Sequence, residues 1–376
     1  MFALLGIAVA GLYSGRLSDK IGRKPVLQFT MYGSMVGSVI KFFLRKNFWG
    51  FCIANLANGL VSGSLPVALA YVGDVFPTPQ TKAAEFGNIT GCFVVEQSMG
   101  GIFAILMSST GLFASLWIGA AMMRAAGLEV SDEYGVMVEE EGDDEELTEI
   151  DKLTMWNIIA GAFLDNFGSC GLFPICLLPL AFNRFYSDFA NEGLPPLLSL
   201  NGYKWVSILV ALVVIPTAAL APPMYSRIGP AGACVFGNLM TAVVIALLFL
   251  CGAVLEATRG AMIGFIVIMY VGFPMTVFSQ LSTSPMLDLV SPRDKRGYVQ
   301  GLNSTVMNVG TAFAPWILGI VADQVNTNAA IFIGMGVSVL AAIVNAPLMW
   351  KKGMGRPPPP KEPMYGRVLQ GEEADI

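Results

Sequence analysis

Long uncharged apolar stretches alternate with short charged ones along most of the chain. The apolar stretches fall at 25–44, 48–73, 86–106, 108–124, 154–182, 205–225, 230–255, 261–287, 297–322 and 329–350, preceded by a fragment at 1–13. A helix needs about 20 apolar residues to cross a hydrocarbon core of about 30 Å, and most of these stretches supply them. They lack the residue-by-residue alternation of a membrane β-barrel. The pattern predicts an all-α polytopic membrane protein with about eleven membrane segments. Residues 1–13 are too short to cross alone and read as the inner part of a helix whose outer half is absent. The pair within 86–124 is cramped, with only Ser108-Ser109-Thr110-Gly111 available as a turn.

The first charged connection is Gly15-Arg16-Leu17-Ser18-Asp19-Lys20-Ile21-Gly22-Arg23-Lys24-Pro25, with uncharged segments at 1–13 and 25–40 on either side. Gly15 and Gly22 predict a tight reversal, since glycine adopts turn conformations at little steric cost. Pro25 suits the first turn of the next helix, where no amide donor is needed. Four cations in one short loop place it on the cytoplasmic face. Alternation then puts Lys82, Arg227, Arg293, Lys295, Arg296, Lys351 and Lys352 inside as well. Arg45, Lys46, Arg184, Lys204 and Arg259 fall outside, so the basic excess lies inside, as orientation requires.

Composition narrows the class. The 376 residues are 55% hydrophobic and 13% charged, against roughly 25% charged in soluble chains. The net charge of −5 is concentrated, because twelve of the 27 carboxylates crowd into residues 129–151 without a Lys or Arg. The run Glu139-Glu140-Glu141-Gly142-Asp143-Asp144-Glu145-Glu146 repels itself and reads as a solvated linker. Elsewhere basic residues are spread over short loops, which argues against nucleic-acid binding. Six cysteines lie within apolar spans at neither disulfide nor zinc spacing. Histidine is absent, so His-based proton relays and His metal ligands are excluded. No Gly-rich nucleotide loop points to ATP-driven pumping, and neither an enzyme nor a cofactor is expected. Pro357–Pro360 mark an extended cytoplasmic tail over 351–376.

The acidic linker separates two stretches that echo each other. Asp74, Lys82 and Gly87 recur as Asp288, Arg296 and Gly301, each 214 positions later. Lys20-Ile21-Gly22 recurs as Arg227-Ile228-Gly229 at an offset of 207, with Ser226 standing where Asp19 does. Residues 1–126 therefore read as an N-terminal bundle, 127–152 as the linker and 153–350 as a second copy of six helices.

The charged connection resembles the signature loop of major facilitator superfamily transporters, roughly G-x-L-x-D-[RK]-x-G-R-[RK]-x-x-L. Gly15, Leu17, Asp19, Lys20, Gly22, Arg23, Lys24 and Leu27 fill every position. The resemblance implies two pseudo-symmetric six-helix bundles, here with the first helix missing and the second truncated, so that 1–126 holds the family's helices two to six. Parallel repeats of this kind are related by an axis along the membrane normal. Resemblance to the drug-efflux branch that includes tetracycline exporters extends over most of the chain. It rests on Ala70-Tyr71-Val72-Gly73-Asp74, Phe86-Gly87, Cys92-Phe93 and Arg296-Gly297-Tyr298-Val299-Gln300-Gly301, with Pro315 beyond. Two positions depart from that branch: Asn55 stands for its membrane-embedded Arg, and Gly100-Gly101 for the Gly-Pro pair of antiporters. The acidic-Ser-Pro-Arg run of sugar porters is absent.

Physical chemistry assigns roles to particular residues. Asp19 would face the free amides and positive dipole end of the helix beginning near Gly297, and Arg23 would pair with Asp74. By the family resemblance, Gly15, Asp19, Gly22, Arg23, Lys24, Asp74, Arg296 and Gly297 form a latch on the cytoplasmic side. Glu96 and Asp165 are acids placed mid-span, where a charge costs at least about 2.5–3.5 kcal/mol and protonation relieves it. Both are candidates for proton coupling. Asp165 has Asn166 beside it and Gly161 and Gly168 on nearby turns, in the manner of a cavity wall. Asn55, Asn166, Gln280, Asn303 and Asn308 are candidate substrate-cavity residues, the last three equally suited to bonds between helices. Gly59 and Gly63, with Ser62 and Ser64, favour close helix approach.

These features point to a secondary transporter moving a small organic solute by alternating access, with proton-coupled export. The alternatives are a uniporter or symporter of the same fold, and a truncated non-transporting membrane protein or scaffold. Its partners would be the solute, protons and the lipid bilayer, acting as a monomer in the plasma membrane or an organelle membrane such as the vacuole's.

Overall fold

The computed structural model describes residues 2–44, 46–76, 82, 85, 86, 89, 149–172, 183–188, 196–199, 202, 213, 217 and 220–355. Among them nine α-helices run in order: α1 Phe2–Ile21, α2 Arg23–Leu44, α3 Phe48–Leu60, α4 Ser64–Val75, α5 Lys152–Leu172, α6 Ala221–Phe249, α7 Arg259–Asp288, α8 Arg296–Gln324 and α9 Thr327–Asn345. Glu96, most of the acidic linker, the segments at 86–124 apart from Phe86 and Ile89, and the tail beyond Gly355 lie outside the described residues.

The first charged connection differs from the turn its glycines suggest. α1 runs unbroken through Gly15 to Ile21, so the reversal is confined to Gly22 at φ +95. The Gly22 amide closes the helix on Ser18 O at 3.2 Å, and α2 starts at Arg23 with Pro25 in its first turn. Gly15 is a packing residue. Along α1, Gly6, Ala10, Gly11, Ser14, Gly15 and Ser18 are buried at three- and four-residue spacing, one smooth stripe. That stripe wedges α1 between α3 and α8, Gly6 meeting the backbone at Leu56 and Gly59, Gly11 and Gly15 meeting α8. Gly63 meets Ser14 in the same packed zone.

Two other boundaries move. The apolar stretch 48–73 is two helices, α3 and α4, interrupted at 61–63. α6 begins nine residues before the expected 230, because Ala221–Ile228 joins Pro230–Phe249 across a kink at Gly229, φ +76. Gly22 and Gly229, matched by the 207-position offset, thus both carry positive φ at a helix break. Expected effect: Gly22→Ala forces a side chain into this left-handed region and costs about 1 kcal/mol, read as a lower thermal midpoint.

Side-chain caps fix the starts of α3, α5, α7 and α9. Asn47 Oδ1 accepts from Gly50 N at 3.1 Å, Thr258 Oγ1 from Ala261 N at 3.2 Å, and Asn326 Oδ1 from Ala329 N at 2.6 Å. Asp151 caps α5, accepting from the Thr154 hydroxyl at 2.6 Å and its amide at 3.1 Å. Those bonds hold the Asp151 carboxyl below the usual carboxylate range.

α8 packs on α1 and α5, α5 on α9, and α6 on α7 and α9. The buried core lies mostly in the C-terminal helices, around Ile245, Leu248, Phe265, Leu318 and Ile331 and around Ile158, Met286, Leu287 and Val299. Large apolar side chains such as Phe43, Trp49, Ile53, Val271 and Ile343 are exposed on the outside, as lipid-facing residues are. Among the described residues five segments are long and apolar enough to cross a membrane: Phe48–Val75, Ala221–Val254, Arg259–Asp288, Arg293–Gln324 and Thr327–Trp350. This is a multi-pass integral membrane protein.

Candidate functional site

The last turn of α1 presents Asp19 to the first turn of α8, where helical amides have no partner of their own. Asp19 Oδ1 accepts from Gly297 N at 3.1 Å and Oδ2 from Tyr298 N at 2.8 Å. A carboxylate at a helix N-terminus also meets the positive end of the macrodipole. The approach needs bare backbone on both sides. A Cβ on Gly15 would strike the Gly297 carbonyl, and a Cβ on Gly297 would strike Arg23, Asp19 and Gly15.

Arg23 organises the surrounding charge. Its Nη1 bonds Asp19 and, at 2.7 Å, Ser18 Oγ, while its Nε reaches Asp74 Oδ2 at 2.9 Å. Arg296 crosses from the C-terminal half, donating to Gly73 O at 2.6 Å and standing 3.4 Å from Asp74 Oδ1. It also pairs with Asp288 at 2.8 Å, and Asp288 pairs with Lys82 at 3.3 Å. These pairs cross the halves both ways, Asp74 to Arg296 and Asp288 to Lys82. The 214-position offset equates Asp74 with Asp288 and Lys82 with Arg296, and a two-fold relation makes contacts reciprocal in this manner.

The structure therefore brings Gly15, Asp19, Arg23, Asp74, Arg296 and Gly297 into one cluster. Gly22 sits at the adjoining turn and Lys24 is exposed one residue past Arg23. Sequence reasoning missed Asp288 and Lys82 as members, although the repeat marks both. It also missed Ser18 and the stacking of Arg16 over the Tyr298 ring, 4.6 Å from its centroid.

Asp165 is a different environment. It is 3% exposed, accepts from Ser279 Oγ of α7 at 2.8 Å through Oδ2, and has no partner for Oδ1 among the described residues. Gly161 and Gly168 are not cavity wall, since they pack against the Asn345 amide and Ser338 of α9. Every Lys and Arg on α5–α9 lies near a helix start, at Lys152, Arg259 and Arg296, or before the Gly229 break, at Arg227. The Asp165 charge thus has no cation beside it on these helices. Glu96 lies outside the described residues.

The five amide candidates stand on four helices and bond mostly within their own. Asn55 on α3 donates to Phe51 O, and Asn308 on α8 to Ser304 O. Asn166 on α5 donates to Ala162 O and accepts from Thr311 of α8 at 3.5 Å. Asn303 is buried, donating to Met307 Sδ with its oxygen unpartnered among the described residues, and Gln280 is half-buried on α7. A cavity of about 510 Å³ opens elsewhere, between Trp156 and Asn157 of α5 and Pro347, Leu348 and Lys351.

Comparison with known proteins agrees with this architecture. The pattern of the Major Facilitator Superfamily matches residues 1–142 and 154–371. The chain is 32% identical over 99 residues to the major facilitator superfamily multidrug transporter mfsB of Aspergillus fumigatus, covering 25% of this chain and 16% of that one. It is 27% identical over 131 residues to the class C tetracycline resistance protein of Escherichia coli, covering 34% and 31%. The matches thus span less than a third of those relatives' lengths. In fold it is similar to the human organic anion transporter MFSD10, with a TM-score of 0.67, 15% identity and coverage of 92% and 82%.

Proposed function

The chain belongs to the major facilitator superfamily, a family of membrane transporters and not of enzymes, and on that premise we propose that it exports a small organic solute by alternating access, driven by protons. The observation that carries the reading is the Asp19 contact across the halves. It closes the cytoplasmic side with bonds that are partly exposed, each worth about 0.3–2 kcal/mol, strong enough to hold and weak enough to release. Residues 1–126 and 153–350 are the two bundles that rock, joined by the acidic linker 127–152 as part of about eleven membrane segments. The crossed pairs of Asp74 with Arg296 and Asp288 with Lys82 support that division.

Asp165 is the proposed proton carrier. Ser279 of α7 donates to it, and around it on α5 Asn345 and Ser338 of α9 pack on Gly161 and Gly168 while Thr311 of α8 donates to Asn166. None of them is a cation, so an acid at this depth is stabilised by taking up a proton. The likeness to proteins named as multidrug and tetracycline transporters supports an amphipathic organic substrate for a monomer in its membrane.

The test is flux of tetracycline and other amphipathic compounds in proteoliposomes under an imposed pH gradient. Gradient-driven accumulation is expected. Flux indifferent to the gradient makes the protein a uniporter, and no flux of any compound removes the transport reading in favour of a scaffold.

A further inference from the structure

The cavity of about 510 Å³ lies where the start of α5 meets the chain just beyond α9. Its lining is of two kinds. Leu153 and Trp156 of α5, with Pro347 beyond α9, are apolar and exposed. Asn157 and Lys351 bring an amide and an ammonium group to the same cavity. Trp350, beside Lys351, is 82% exposed. Tryptophans at the ends of apolar spans mark the depth where acyl chains give way to headgroups, and the basic excess places these ends on the cytoplasmic side. Lys152, Lys351 and Lys352 are all exposed there, and Lys152 shares a face of α5 with Trp156, four residues on.

The backbone of Lys351 is fixed. Its carbonyl accepts from Met354 N and Gly355 N, each at 3.2 Å, and Met354 O accepts from Ala231 N at 3.0 Å. The Met354 side chain is buried in the core beside Met155 and Leu348, which pins this turn. Lys351 Nζ stands 3.3 Å from Asp151 Oδ2, an oxygen that already accepts from the Thr154 hydroxyl at 2.6 Å. The pair is half-exposed, where ion pairs are worth little, and an ammonium group has three protons to donate. Glu149 is the other carboxylate at these two ends among the described residues, so three lysines face two acids.

We propose that this cavity binds an anionic phospholipid of the cytoplasmic leaflet, with the phosphate on Lys351 and the upper acyl chain against Leu153, Trp156 and Pro347. Basic recesses between membrane helices on the cytoplasmic side take such headgroups. The Asn157 amide suits the glycerol and ester oxygens that lie between phosphate and chain. A soluble anion would meet the lysine and leave the apolar lining in water, whereas a neutral alkyl chain would cover the lining and leave the lysine without a counter-charge. The bound lipid joins the first helix of the C-terminal half to the turn that follows its last. It uses neither the Asp19 cluster nor Asp165, so the site stands whatever solute is moved and whatever drives it.

Thermal unfolding of the purified full-length protein in detergent tests this, with phosphatidylglycerol or phosphatidylcholine of the same chains added over a range of mole fractions. Phosphatidylglycerol should raise the midpoint saturably and beyond the rise that phosphatidylcholine gives. Lys351→Gln should increase the phosphatidylglycerol needed for half the effect about fivefold, and Lys351→Arg should restore it. Trp156→Ser should weaken the response as well, by removing part of the apolar lining. Lys20→Gln takes a cation from the same membrane face on α1, which does not line the cavity, and should leave the response unchanged. Each variant is read by its lipid-dependent shift, so its own change in stability does not enter. Equal shifts from the two lipids overturn the proposal. So does an equal loss in Lys20→Gln and Lys351→Gln, which marks diffuse surface charge, or a response indifferent to both Lys351→Gln and Trp156→Ser. Glycerol 3-phosphate reproducing the shift overturns it in favour of a soluble anion.

Discussion

Asp19→Asn should slow transport about five- to thirty-fold while the protein still inserts and folds. The side chain keeps its size and one acceptor oxygen, so the α1–α8 packing survives. It loses the charge that faces the α8 N-terminus, one of its two accepting oxygens and the ion pair with Arg23. Together these are worth about 1–2 kcal/mol in a partly buried setting, and that energy changes a two-state population by a factor of five to thirty. The closed cytoplasmic side becomes less populated, which thiol labelling of cytoplasmic positions reads as greater reactivity. Full transport in this variant, at wild-type abundance in the membrane, would remove the role assigned to Asp19.

Asp165→Asn should erase the dependence of transport on an imposed pH gradient. The amide keeps an oxygen for the Ser279 hydroxyl and fills the same space, so α5 and α7 stay packed. It cannot bind and release a proton. Gradient-driven efflux should fall to the rate measured without a gradient, while exchange at equal pH continues. An unchanged pH dependence would clear Asp165 and turn attention to Glu96.

The sequence revealed the contacts whose two partners sit in recognisable local patterns. Asp19 and the start of the helix at Gly297 could be matched because a carboxylate and a row of free amides answer each other wherever they meet. Arg23 with Asp74 followed from opposite charges at the same depth. Gly15 was misread because a glycine beside charged residues looks like a turn until its partner, a glycine 282 positions away, is known to occupy the space of a side chain. The break at 61–63 was hidden for a similar reason, since an apolar stretch says how long a span is and not whether its axis is continuous. Asp288 was in plain view as the echo of Asp74, but its pairing depends on the halves facing each other. The buried surroundings of Asp165 are contributed by α6, α7 and α9, which no local spacing around residue 165 discloses.

The meeting of Gly15 with Gly297 separates two properties that are easily confused. With main chain against main chain, the cytoplasmic ends have come together as far as atoms permit, so the geometry of that endpoint is a mechanical stop set by glycine. How long the protein rests there is governed by the neighbouring charges. Salt, lipid composition or drift in the acidic and basic residues can therefore alter dwell time without altering the shape of the resting pose, and a change at either glycine would do the reverse.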